Sequence, residues 1–153
     1  MAKIKVGVAG YGTIGMRLAD GVAMQGDMEL VGIADLAPTL SLRALKENDM
    51  IGANGVEYKL YLVDGADKAA FDAADIPVAG SFEELCKEVD IMLDSSPAGI
   101  GSKNKEKYYE KYGVKAIFQG GEKNSVADVF FHGYANFEQG VNKNYLKLTS
   151  CNT

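Results

Sequence analysis

Apolar residues along this chain recur in two alternating periods. Ile4, Val6 and Val8, extended by Ala9, read as a strand covered on both faces. Ile14, Leu18, Ala19 and Val22 then recur at helical spacing, which predicts an inward helix face. The same change of period returns several times. Residues 28–34 predict a second strand, and residues 38–45 a short helix with Leu40, Leu42 and Leu45 partly buried. Residues 51–55 have no period and read as loop, whereas 57–63 alternate as a strand. An alanine-rich helix over 67–74 and a short strand over 76–79 follow. Ser81 and Glu84 form a capping box that opens a helix with Phe82, Leu85 and Val89 facing inward. Further strands are expected at 91–94, 115–118, 129–131 and 145–149, with a helix over 102–112 and a short turn or helix over 134–140. Tyr108, Tyr109 and Tyr112 read as helix packing, and Lys103, Lys105 and Lys107 as a solvated face. Strands alternating with helices predict an α/β fold with a doubly wound, mostly parallel sheet over residues 1–149.

Between the first strand and first helix lie Gly10, Gly12 and Gly15, in the spacing G-x-G-x-x-G. In a Rossmann-type unit the first glycine allows the tight turn, the second lets a pyrophosphate reach bare backbone, and the third lets helix and strand pack closely. The following helix aims free amides and its positive dipole end at the phosphates. Glycine turns of this spacing also occur without a ligand. Here a strand precedes the turn, an amphipathic helix follows, and the second strand ends at Asp35, so dinucleotide binding is the favoured reading. Asp35, about 20 residues past the turn, is placed to accept hydrogen bonds from an adenosine ribose and to repel a 2′-phosphate, which favours NAD with NADP possible. The competing reading of Asp35 is a solvated acid at a loop start. A second strand–loop–helix unit, with the loop 95–101, would bring Ser96 to the opposite side of the crevice. A third strand also ends in glycines, Gly120 and Gly121.

At 153 residues the chain suits one domain with a substantial core. The 18 glycines exceed the usual share of about 7% and gather at expected strand ends. A formal charge of −5 argues against a nucleic-acid partner. No apolar run approaches the roughly 20 residues of a membrane span, so no membrane partner is expected. Cys86 and Cys151 have neither metal nor redox spacing, which suggests a reduced, cytoplasmic protein without a metal site. Cys86 neighbours an inward helix face and reads as a small buried side chain. The single histidine, His132, lies in the apolar run 129–134 and reads as structural rather than as a base for Cys151.

Three stretches, GYGTIG at 10–15, FQGGEK at 118–123 and SCNT at 150–153, together resemble the archaeal-type phosphorylating glyceraldehyde-3-phosphate dehydrogenases. Asp94 and the SSPAGIGSKN that follows it at 95–104 are similar to that family's loop after its fourth main strand. The resemblance runs over the whole chain and implies a Rossmann cofactor domain followed, at 150–153, by the start of the catalytic segment. It implies Cys151 as the nucleophile, flanked at the substrate by Ser150 and Asn152. In that family the thiol adds to the aldehyde, hydride passes to the nicotinamide, and phosphate releases the resulting thioester as an acyl phosphate. Gly10, Tyr11, Gly12, Thr13, Ile14, Gly15, Asp35, Ser96 and Gly121 would then form the cofactor site. The family's base, phosphate clamps and tetramer-forming sheet lie beyond the cysteine. The expectation is therefore a chain inactive alone, completed by a catalytic domain or second chain acting on a phosphorylated aldehyde, and homo-oligomeric when complete. Competing expectations are a stand-alone NAD(H)-binding or redox-sensing module, and a semialdehyde or homoserine type of oxidoreductase. The FQGGEK and SCNT stretches speak against the last.

Overall fold

The computed structural model describes residues 2–148. The chain runs β1 (Ile4–Ala9), α1 (Thr13–Ala23), β2 (Met28–Asp35), α2 (Leu40–Glu47), β3 (Leu60–Leu62), α3 (Lys68–Ala73), β4 (Gly80–Ser81) and α4 (Phe82–Glu88). It continues through β5 (Ile91–Asp94), α5 (Ile100–Asn104), a π turn (Lys105–Tyr109), α6 (Glu110–Tyr112), β6 (Lys115–Phe118), β7 (Val129–Phe131), α7 (Phe137–Gly140) and β8 (Tyr145–Leu148). The strands form one eight-stranded sheet in the order β4-β3-β2-β1-β5-β6-β8-β7. Every strand pair among the described residues is parallel.

From β1 the chain winds outward through β2, β3 and β4, then crosses to the other side of β1 and winds out through β5 and β6. The reversal between β1 and β5 is a topological switch point, where a crevice opens outside the carboxyl ends of the strands. On one face of the sheet Val8, Ile33 and Leu60 pack with Ala19, Leu42, Leu45 and Phe71. On the other, Met92, Ala116 and Phe118 pack with Phe82, Leu85 and Tyr109. Fully burying one such Leu or Phe stabilises by about 1.5–3 kcal/mol. Both faces being covered explains why the strands are short, continuous apolar runs.

The Rossmann-type doubly wound sheet is the one the periodicity predicts. Several details differ. Ile4 is exposed because β5 joins β1 only from Val6 onward. The alternating stretch 57–63 yields only the strand Leu60–Leu62. Its first half pairs instead with the preceding turn, through an antiparallel bridge between Ile51 and Glu57 and a Tyr58 N–H to Met50 carbonyl bond of 2.8 Å. Residues 76–79 are not a strand. Pro77 has no N–H to give, and pairing begins at Gly80 after a single Ala79 N–H to Leu60 carbonyl bond. Leu40 is 85% exposed, since Leu42 and Leu45 define the inward face of α2 and Leu40 lies two residues before it. The helix expected from residue 102 starts at Ile100.

The capping box at Ser81 and Glu84 is present, with both reciprocal bonds. Cys86 is buried, and burial pushes its thiol up to about 12. Of the three lysines expected on a solvated face, Lys103 and Lys107 are exposed and Lys105 is half-buried. Lys107 pairs with Asp64 at 2.5 Å, while Lys105 donates to the Val126 carbonyl at 2.8 Å and lies 4.4 Å from the centre of the Tyr145 ring. His132 is exposed rather than enclosed, and its Nδ1 accepts from the Tyr134 N–H at 3.3 Å.

Candidate functional site

The loops at the carboxyl ends of β1, β2, β5 and β6 meet at the switch point. Gly10 leaves β1 with φ +83°, a conformation that favours glycine. Its N–H donates to the Ala34 carbonyl at 2.8 Å, so the turn stays tied to β2. Gly15 is the close-packing glycine. A Cβ there would lie 1.7 Å from the Gly10 carbonyl oxygen. Gly12 differs from both. Its φ is −82°, open to any residue, and a Cβ there meets no protein atom within 4 Å. The protein's own packing therefore does not require a glycine at this position.

Gly12 is also the N-cap of α1, an eleven-residue helix with no side-chain cap and no acid in its first turn. The first amides of any helix lack intrahelical partners. In α2, α3 and α4 the side chains of Thr39, Asp67 and Ser81 accept from such amides. Thr13 and Ile14 are exposed at the start of α1. Ile14 is thus a rim residue, and the inward face of α1 consists of Gly15, Ala19, Val22 and Ala23.

Asp35 ends β2 with its carboxylate facing the turn. Its Oδ2 accepts the Tyr11 N–H at 2.9 Å and its Oδ1 the Leu36 N–H at 2.7 Å. A carboxylate offers about four acceptor sites, so capacity remains for a ligand hydroxyl. The Tyr11 ring points away from the crevice. It is buried edge-on against Tyr58, 6.4 Å between centroids, and burial with the nearby Asp20 charge raises its hydroxyl to about 12. Only the Tyr11 backbone belongs to the turn.

Across the switch point, the loop after β5 is built on Asp94, a buried carboxylate with three donors. It accepts from the Ser96 N–H at 3.0 Å, Asn104 Nδ2 at 3.0 Å and the Tyr109 hydroxyl at 2.5 Å. The π turn brings Asn104 and Tyr109 to the same carboxylate. Ser96 is buried, and its carbonyl oxygen would lie 2.4 Å from a Cβ on Gly120, so the β5 and β6 loops touch there. Gly121 is exposed beside a cleft of about 560 Å³ that is also bordered by Ala98, Lys105, Lys123 and Val126. Glu122 is buried and accepts the Gly101 N–H at 2.8 Å. Cys151, Ser150 and Asn152 lie outside the described residues.

The structure thus brings Gly10, Gly15 and Asp35 together at the glycine turn, with Gly12, Thr13 and Ile14 exposed beside them. Ser96 is buried against Gly120, and Gly121 borders a cleft that none of the turn residues lines. Motif spacing did not single out Ser95 or Asp94. The available signal was an acid closing a buried strand, the pattern already read at Asp35. Among the described residues no group of three or more His, Cys, Asp or Glu is placed to hold a metal ion. No helix among them is long and apolar enough to cross a membrane.

No protein-family model matches the chain. Among solved structures, apo scyllo-inositol dehydrogenase from Lactobacillus casei aligns over 98% of this chain and 36% of its own, with TM-score 0.50 and 16% identity. NDP-N-acetyl-D-galactosaminuronic acid dehydrogenase from Methanosarcina mazei aligns over 97% and 34%, with TM-score 0.50 and 14% identity. These likenesses concern the fold. Sequence relatives are closer. Glyceraldehyde-3-phosphate dehydrogenase of Archaeoglobus fulgidus is 44% identical over 153 residues, covering 100% of this chain and 42% of the relative. The enzymes of that name from Sulfolobus acidocaldarius and Pyrobaculum islandicum are 44% and 46% identical, with 42% and 41% of their lengths covered. The chain therefore spans about two fifths of the length of the curated relatives it matches. In sequence it corresponds, from end to end, to the N-terminal part of the archaeal glyceraldehyde-3-phosphate dehydrogenases.

Proposed function

We propose that this chain supplies the nicotinamide-dinucleotide-binding part of a phosphorylating glyceraldehyde-3-phosphate dehydrogenase, with Cys151 as the thiol nucleophile. Gly12 carries the cofactor half of this reading. The fold has no steric need for a glycine there, whereas a pyrophosphate approaching the backbone does. The uncapped start of α1 supports the same reading, because its free amides and dipole suit an anion. The backbone of Gly12, Thr13 and Ile14 would hold the pyrophosphate, Asp35 the adenosine ribose, and Ser96 and Gly121 the far side. The negative charge at Asp35 favours NAD, since a 2′-phosphate would be repelled.

When bound, the nicotinamide would supply the hydride acceptor. Cys151 would add to the aldehyde carbon as thiolate, and Ser150 and Asn152 would flank the substrate. The base and the substrate-phosphate clamps would come from a complementary catalytic domain or chain, in a homo-oligomer when complete. The relatives' greater length supports a complementary part. So do Phe130, Tyr134, Phe137 and Val141, apolar side chains left exposed around β7 and α7 at one edge of the sheet.

The test is phosphate- and NAD-dependent oxidation of glyceraldehyde 3-phosphate by the protein isolated from its own source. The expected result is an activity that copurifies with the complementary part and falls at least ~1000-fold in Cys151→Ser. Saturable NAD binding without Cys151-dependent oxidation would leave a binding module and overturn the catalytic part of the proposal.

A further inference from the structure

Strand β1 has two neighbours in the sheet, β2 and β5, and a side chain from the end of each reaches the glycine turn. From the β5 side it is Ser95. Its Oγ lies 2.8 Å from the Gly10 carbonyl oxygen and 2.9 Å from the Ala9 carbonyl oxygen, so its single proton is shared between them. Its N–H also donates to the Ala9 carbonyl at 2.9 Å. From the β2 side, Asp35 Oδ2 accepts the Tyr11 N–H. The Gly10 carbonyl and the Tyr11 N–H belong to one peptide group. That peptide plane is therefore held at both ends, by Ser95 on the carbonyl and Asp35 on the amide. Its orientation sets the direction of the chain entering Gly12 and hence of the amides that open α1.

We infer that Ser95 is a positioning residue for dinucleotide phosphate. Clamping the Gly10–Tyr11 peptide against Asp35, it presets the first amides of α1 before a ligand arrives. The inference rests on the dinucleotide-binding reading above. Ser95 itself need not touch the ligand. Its contribution is a conformational cost already met in the free protein, which a variant without the hydroxyl has to meet on binding.

The test is a fluorescence titration of the purified chain with NADH, alongside Ser95→Ala and Ser95→Thr, with ADP-ribose and adenosine as competitors. Ser95→Ala should bind NADH and ADP-ribose about three- to tenfold more weakly, as expected for one lost hydrogen bond. Adenosine, which has no phosphate, should be unaffected, and Ser95→Thr should restore most of the loss. A purely structural role would weaken all three ligands alike, and that result overturns the inference. Unchanged NADH affinity in Ser95→Ala overturns it too, while leaving the dinucleotide reading standing. A parent chain that shows no saturable NADH binding overturns both. If the alanine variant does not fold, Ser95→Cys makes the same comparison, filling the position with a slightly larger side chain while weakening the donor.

Discussion

A Cβ placed on Gly15 would lie 1.7 Å from the Gly10 carbonyl oxygen and 2.9 Å from Ser95 Oγ, inside the turn itself. Gly15→Ala should therefore destabilise the protein by about 2–4 kcal/mol, read as a shift in urea midpoint. Gly12→Ala meets no such obstacle and should change stability by less than about 1 kcal/mol. Equal destabilisation by the two would contradict these separate roles. The spacing alone made this distinction legible, because in a strand–turn–helix unit the second and third glycines have different tasks. What spacing could not reveal was direction. Tyr11 turns its ring into the core, and Ile14, which fits the helical period, sits on the exposed rim. A residue at a helix start can match the apolar period before the helix has reached the sheet. The clamp by Ser95 was equally hidden, since it joins positions 85 and 86 residues apart in sequence.

At the scale of elements, α4 and the helix of α5, π turn and α6 cover one face of the sheet and are laced together by tyrosines and carboxylates. The Tyr112 hydroxyl donates to Glu83, and Lys111 Nζ lies 3.1 Å from the same carboxylate. These partners, with the Lys87 charge, hold the Glu83 carboxyl at about 2, below its usual 4.5. A carboxyl depressed on folding stabilises the protein above its unfolded pKa and loses that contribution as pH falls through the folded value. Between about pH 4.5 and 2 the parent should therefore lose stability faster than Glu83→Gln. Urea titrations at several pH values test this, and identical slopes would contradict it. Helix existence here was legible from Ser81, Glu84 and the inward Phe82 and Leu85. The π turn was not, because it accompanies contacts of Asn104 and Tyr109 to the buried Asp94, ten and fifteen residues away in sequence, which no local period encodes. Strand boundaries near residues 57–63 escaped the pattern for a similar reason. Alternation states that a segment can pair, not which neighbour it meets first, and here Ile51 claims Glu57 before β2 can.

For the molecule as a whole, period and turn chemistry sufficed to predict a doubly wound sheet, because consecutive βα units leave few ways to cover both faces. The edge carrying β7 and β8 was less constrained, since the helix described between these two strands, α7, has only four residues. The exposed Phe130, Tyr134, Phe137 and Val141 lie in that region, where local pattern carried the least information. In the proposed function a dinucleotide lies over Gly12, at the switch point between β1 and β5. The most direct measurement is a titration of the purified chain with NADH, repeated on Gly12→Val. Saturable binding by the parent is expected, and for the variant at least a tenfold loss of affinity with a stability change of no more than about 1 kcal/mol by urea midpoint. No binding by the parent, or equal affinity in the two proteins, would contradict it.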